Sequence, residues 1–529
     1  MARNARIPPI VYILVVAAVG WGGYRYWQQH GIPDWVNLPG WVNRPGWVNR
    51  STAVVPPAAD TDGWLLLGDT FSGYSTFRNA EFQGALQEIG IPLRYDDEFD
   101  QAERAERLNR GEADLLLTSL DQFLQQQPHG QIIALIDRTI GADAVVLNTV
   151  KYPGLTSLLV LDQLMSNQRA QGNRLIATYA GDTPSEYLAL VLDTKFDTFR
   201  LADFDVSQVG DASEAWDLLQ DRAQPVGLAV LWEPYVTQAR LRGYTVVLSS
   251  RDAPDTIVDV LVASDSLIQE DPDALSDLVE AYYRRIDANV RDASQLQAQI
   301  AEDGDLTPDE AAAVLQGIEF FTATEAQSWL NDGTLERRIQ STAAVLALSG
   351  RLGSVPEQPQ ALLTNTFVSR AARNNQTLIE LVRADNPDLA DRLAGRTRAI
   401  TPILTDSQIQ AAPTIGNLEV RGEVQFTTGS AQLTSQGSTT LDQLLSEINE
   451  FSPQTVAVRV IGHTSRTGPA DFNQALSQQR AQVVVGYLRE RGLPHNVVAE
   501  GRGFELPLPE LDPADARNQR TEIRLVRVE

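Results

Sequence analysis

The stretch Val458–Leu488, VRVIGHTSRTGPADFNQALSQQRAQVVVGYL, decides how the C-terminal part of this chain folds. With Val456 just ahead of it, Val458 and Val460 alternate with other residues in the period-two pattern of a strand. A polar turn follows, Gly462-His463-Thr464-Ser465-Arg466-Thr467-Gly468. Beyond it, Leu476, Val483, Val484, Tyr487 and Leu488 are spaced for a helix with one buried face. Asn473, Ser477 and Arg480 fall at three- and four-residue steps, so they share a side of that helix near its start.

On Gly462-His463-Thr464, Asn473, Leu476-Ser477 and Arg480-Ala481, this stretch resembles the OmpA-like peptidoglycan-binding domain. The resemblance runs from about Val420 to the last residue. It takes in Val424-Gln425-Phe426, Ser430 and Leu433 upstream, and Gly501 to Phe504, Pro507 and Asn518 to Ile523 downstream. It implies an α+β domain over 417–529 that holds the diaminopimelate stem peptide of peptidoglycan, with Thr464, Ser465, Asn473 and Arg480 in the site. A zwitterionic tip needs an anion for its ammonium and a guanidinium for its carboxylate. Arg480 matches the family's arginine, but Ser465 stands where the family has an aspartate. The charge partner of the amine is therefore missing, and wall binding is expected to be weakened, altered or lost. Gln519 replaces a second family arginine. The plainer alternative is that Arg480 pairs with a neighbouring carboxylate and the domain is a spacer.

A chain of 529 residues is long enough for about three domains. Its net charge of −26 excludes a nucleic-acid surface, which needs clustered Lys and Arg. The absence of cysteine excludes disulfides, thiolate catalysis, Cys-ligated metals and a lipid-modified N-terminal Cys. The four histidines (30, 129, 463 and 495) are far apart, and no Ser-His-Asp or metal-ligand spacing exists. The chain reads as a binding protein, not an enzyme, with no cofactor or metal.

Ile7 to Gly23 carries no charge, follows Arg3 and Arg6, and is trailed by Tyr24, Tyr26 and Trp27. That is long enough to cross a hydrocarbon layer of ~30 Å, and the arginines set a cytoplasmic N-terminus. The expectation is a transmembrane anchor over 1–27 in the inner membrane, with the rest periplasmic. A signal peptide cleaved near Ala17, Ala18 and Gly20 is the rival reading. A Pro-Gly-Trp repeat over 28–60, with Trp35, Trp41 and Trp47, reads as a linker or as an interfacial contact.

From Trp64 the pattern alternates strand and helix: Trp64–Gly68, Asp114–Ser119, Asp143–Leu147 (read as a strand crossing between lobes), Arg174–Tyr179, Gly227–Leu231 and the return strand Val258–Ala263. The hydroxyl-rich loop after the first strand, ADLLLTS, GADAVV, GDTPS and AVLWEPY occur in an order that resembles type 2 periplasmic solute-binding proteins of the nitrate, sulfonate and taurine branch. The resemblance covers about Trp64 to Arg351. It implies a two-lobed (Venus-flytrap) α/β body over 61–351 that closes on a small solute, with an ABC transporter permease as a further partner. Strand ends followed by helix N-termini suit an oxyanion such as phosphate, sulfonate or nitrate. Ser72, Tyr74, Ser75, Thr118, Ser119, Thr183 and Ser185 are the candidate donors, with Trp232 and Glu233 framing the cleft. The competing reading makes these hydroxyls ordinary helix caps. Arg78 and Arg138 read as surface residues. Residues 352–416, punctuated by five prolines, read as a partly helical connector that lets body and wall domain move separately. The expected function is a membrane-anchored, wall-tethered solute receptor; a structural tether or sensor with a degenerate cleft is the alternative.

Overall fold

The computed structural model describes residues 63–396, 401–509 and 511–528. The anchor expected over 1–27 and the repeat over 28–60 lie outside them. Among the described residues no helix is long and apolar enough to cross a membrane.

In chain order the strands are β1 (Trp64–Gly68), β2 (Leu93–Asp97), β3 (Leu115–Ser119) and β4 (Gly130–Thr139); β5 (Asp143–Leu147), β6 (Ile176–Ala180), β7 (Asp205–Val209), β8 (Val226–Trp232) and β9 (Thr245–Ser249); β10 (Val258–Ser264) and β11 (Ile318–Phe320); and β12 (Thr414–Asn417), β13 (Val456–Gly462), β14 (Val497–Gly501) and β15 (Thr521–Arg527). They form three sheets. Order β11-β4-β10-β3-β1-β2 makes the first lobe, β7-β6-β8-β5-β9 the second, and β12-β15-β13-β14 the C-terminal domain. The central strands are continuous apolar runs because helices cover both of their faces.

The chain leaves lobe one between β4 and β5 and returns between β9 and β10. β5 pairs with β8 and β9 inside lobe two. The crossing is therefore made by Ile140 to Ala142 and not, as the sequence suggested, by that strand. Ser250 ties the two crossovers together: its Oγ accepts from Gly141 N (2.8 Å), and its N–H donates to Asp143 O (2.8 Å).

The segment 352–416 does not leave the parts free. The helices Val368–Arg383 and Pro387–Leu393 pack on the lobe-one helix Pro272–Arg291. The helix Asp406–Ala411 packs on β13 and β14, and β12 pairs with β15. Beyond β12 the chain lies along the end of the lobe-two helix Pro184–Lys195, where Glu419 N donates to Lys195 O (2.8 Å) and Asp197 N to Asn417 O (3.1 Å). A Cβ on Gly416 would lie 2.8 Å from the Phe196 ring, so glycine permits this approach. Phe196 also meets the Phe451 ring edge-on at 6.1 Å. Lobe two, lobe one and the C-terminal domain share one continuous apolar core.

Candidate functional site

In the C-terminal domain, the helix Ala470–Glu490 lies against β13 and β14. A Cβ on Gly462 would stand 2.4 Å from Ser477 O, so the strand end must be glycine for the helix to sit there. Its buried face is Asn473, Leu476, Ser477, Arg480, Ala481, Val484, Val485 and Leu488. Val483, expected on that face, is exposed, and Val485 takes its place. Val424-Gln425-Phe426 forms no strand but an isolated bridge between Phe426 and Leu433.

Thr464, Ser465, Asn473 and Arg480 are each buried. Asn473 Nδ2 is spent on the turn, donating to Thr467 O (3.0 Å) and Pro469 O (3.1 Å). Ser465 Oγ pairs with Thr467 Oγ1 at 3.0 Å. Thr464 Oγ1 is buried without a hydrogen-bond partner among the described residues. Arg480 Nε donates to Ser430 O (3.0 Å) and Nη1 to Gln519 Oε1 (3.3 Å), and its guanidinium lies 5.0 Å from the Phe426 ring centroid. Among the described residues no carboxylate pairs with Arg480, which removes the spacer reading's ion pair. Burial lowers its pKa, and no nearby acid opposes that. A cation taken from water without a counter-charge is costly. His463 is structural, with Nε2 lying 3.2 Å from Glu522. Burial pushes the Glu522 carboxyl up, but His463 and Arg520 outweigh it and hold it at about 2.

The cleft between the lobes differs from expectation. Tyr74, Ser75, Thr118, Ser119 and Ser185 are buried, Ser72, Thr183, Trp232 and Glu233 half-buried, and most of the expected hydroxyls are engaged within the protein. Tyr74 OH donates to Asp259 Oδ1 (2.6 Å), Ser75 Oγ accepts from Gln299 Nε2 (2.9 Å), and Thr118 Oγ1 donates to Gln101 Oε1 (3.1 Å). Thr183 is the N-cap of the helix Pro184–Lys195, accepting from Ser185 N (3.2 Å), and Ser185 Oγ reaches Asp143 Oδ1 (3.4 Å). Ser72, half-buried, lies in a short 3-10 turn, and Ser119 Oγ is buried without a partner among the described residues. Trp232 packs into the lobe-two core, and Glu233 accepts from Thr237 N (3.0 Å) at the start of the helix Tyr235–Leu241.

What the sequence reading missed is the acid. Asp259 on β10 stands directly across from Asp137 on β4 and from Ser119 on β3. Like charges opposed across a ladder repel. Neither Asp137 oxygen has a hydrogen-bond partner among the described residues. Burial, with Asp259 beside it, drives Asp137 well above its usual range. Burial raises Asp259 to about 7, Asp143 to about 7 and Asp121 to about 6. Arg78 and Arg138 are not surface residues; each is largely buried. Arg78 Nε donates to Asp303 (2.9 Å), and Arg138 pairs with Glu319 and Glu325, both at 2.9 Å.

Residues 425–521 match the family model described as "OmpA family". Outer membrane protein A of Shimwellia blattae is 39% identical over 90 residues, which are 17% of this chain and 37% of that one. The chain thus spans little more than a third of that relative. Among solved structures, the body overlaps a periplasmic sulfonate-binding protein from Methylobacillus flagellatus KT (15% identity, TM-score 0.47, 60% of this chain and 96% of that one). It also overlaps the periplasmic aliphatic sulphonate binding protein of Escherichia coli (11%, 0.45, 58% and 99%). Residues 425–521 are an OmpA-family domain, carried at the C-terminal end of a two-lobed α/β body.

Proposed function

We propose that the protein is a cell-envelope binding protein whose C-terminal domain holds peptidoglycan through Arg480. The observation that carries this is a buried guanidinium with no carboxylate partner among the described residues; the Thr464 hydroxyl of the same domain is likewise buried and unpartnered. Such a guanidinium suits the carboxylate of a diaminopimelate stem peptide. With Ser465 in place of an acid, the amine of the peptide is left without a counter-charge. In this reading residues 1–27 anchor the chain in the inner membrane and the bulk is periplasmic.

For the body, the buried acids argue against a phosphate, sulfonate or nitrate ligand, because an oxyanion would face carboxyls rather than free donors. The buried acids and the hydroxyls already engaged within the protein favour a second reading, a tether or sensor whose solute site is degenerate; delivery to a permease then falls away.

The test is co-sedimentation of the protein with purified diaminopimelate-type peptidoglycan. Arg480→Met should weaken retention about tenfold or more, since charge-assisted hydrogen bonds contribute about 1.5–3 kcal/mol. The melting temperature should hold or rise, because an uncompensated buried charge is removed. Ser465→Asp should strengthen retention. Equal retention of Arg480→Met and wild type would sink the assignment.

A further inference from the structure

Where the C-terminal domain meets the crossovers, a cavity of about 530 Å³ is lined by Gly141, Arg240, Arg251, Pro402, Gln454, Thr455 and Val528. Four parts of the molecule contribute: the crossovers (Gly141, Arg251), the lobe-two helix Tyr235–Leu241 (Arg240), the segment before the C-terminal domain (Pro402) and that domain itself (Gln454, Thr455, Val528). The charge of the lining is positive only. Arg251 Nε donates to Ile140 O (3.4 Å), which leaves both terminal nitrogens without an acceptor among the described residues. The Arg240 side chain has neither a hydrogen bond nor an ion pair among them. Arg527, on the strand leading to Val528, pairs with the Asp252 carboxylate and donates to Val246 O (2.5 Å), while its buried Nε has no partner among the described residues. That pairing engages Oδ2 of Asp252, the acid next to Arg251 in the chain; its Oδ1 is buried without a partner among the described residues. Thr455 Oγ1 is buried with no partner among the described residues, although Thr455 O accepts from Val528 N (2.7 Å).

We infer that this cavity binds a small, multiply charged oxyanion, a phosphate ester or a polycarboxylate. Two guanidiniums present planar forks that match such oxygens, and a hydroxyl and an amide supply uncharged donors. No lining residue is acidic. The volume exceeds that of a lone phosphate and leaves room for an attached group. A ligand held by Arg240, Arg251 and Thr455 together spans lobe two, the crossover and the C-terminal domain. It therefore stabilises the docked arrangement. This site is separate from the Arg480 region and stands or falls without it.

The test is thermal unfolding of the full chain with inorganic phosphate or citrate, against potassium chloride at matched ionic strength. A ligand bound only by the folded state should raise the wild-type melting temperature by about 3 °C or more near saturation. The double variant R240A/R251A should lose that rise. Both side chains are exposed, so the variant should fold. Arg94→Ala, which removes an exposed arginine in lobe one, should keep the rise. An equal rise in chloride, or in R240A/R251A, overturns the inference. So does a wild-type protein that shows no rise.

Discussion

Asp259 shows how much of a site can hide in a strand. In sequence it is one acid in the apolar run Val258–Ser264, and nothing local names its neighbours. Its meaning comes from register: Asp137 across one ladder, Ser119 across the other, and Tyr74 OH from the loop after β1. Hydroxyls were legible because Thr183 and Ser185 sit at a helix start that Pro184 announces. Pairing between strands more than a hundred residues apart was not. The acids also set the pH response. In the folded protein Asp143 and Asp259 hold protons to about pH 7, whereas an unfolded carboxyl releases its proton near 4. Below about pH 4 both states are protonated and the contribution is full. Between about 4 and 7 the folded state binds more protons, so stability falls as pH rises and is lost above about 7. Asp259→Asn keeps a neutral group at every pH. It should raise the melting temperature at pH 8 and change it little at pH 5. An equal shift at both values would mean that the carboxyl is not titrating in the folded protein.

At the scale of elements, the strands β1, β3, β5, β8 and β10 could be read because a helix-covered sheet needs uninterrupted apolar runs. The helix Ala470–Glu490 could be read from its period, apart from Val483. β12 could not. Its four residues Thr414–Asn417 carry a glycine and follow Pro413, which reads as a connector. The strand exists because β15 supplies a ladder and Phe196 supplies a surface. Gly416 has no room for a larger side chain. Gly416→Val should destabilise by about 1–3 kcal/mol, the usual cost of overpacking, and should loosen the C-terminal domain from lobe two. Denaturant titration read by Trp fluorescence checks the first effect and proteolysis around residues 397–400 the second. An unchanged midpoint with unchanged cleavage would show that β12 does not carry the docking.

For the whole molecule, the sequence supports separable parts, and the structure joins them. Lys195, at the end of its lobe-two helix, is buried between Glu447 and Glu450 of the C-terminal domain, the latter at 2.9 Å. Ser341 Oγ, on the helix Thr334–Leu348, also donates to Glu450 (2.9 Å). Burial pushes the Glu450 carboxyl up, but Lys195 and Arg338 outweigh it and hold it below its usual range. At the crossover, Ser452 N donates to Asp252 O (2.7 Å) while Arg527 takes the Asp252 carboxylate. With one shared core, body and C-terminal domain should unfold in a single calorimetric transition. Lys195→Ala leaves the partly buried Glu447 unpaired and Glu450 with Arg338 and Ser341 alone, which should cost about 1–3 kcal/mol. It should also split that transition in two. One transition at an unchanged temperature would mean that the ion cluster does not hold the parts together.

The contact through Phe196 has a consequence for how such a chain can be recombined. Phe196 is fully covered, and Ile415, Leu418 and Phe451 share its apolar cluster. A body cut off before residue 401 would present that greasy patch to water, and a C-terminal domain grafted from another chain would need matching side chains to cover it. The two parts are thus poor building blocks for chimeras. Substitutions at Phe196 should be tolerated only when Gly416, Leu418 or Phe451 changes with it.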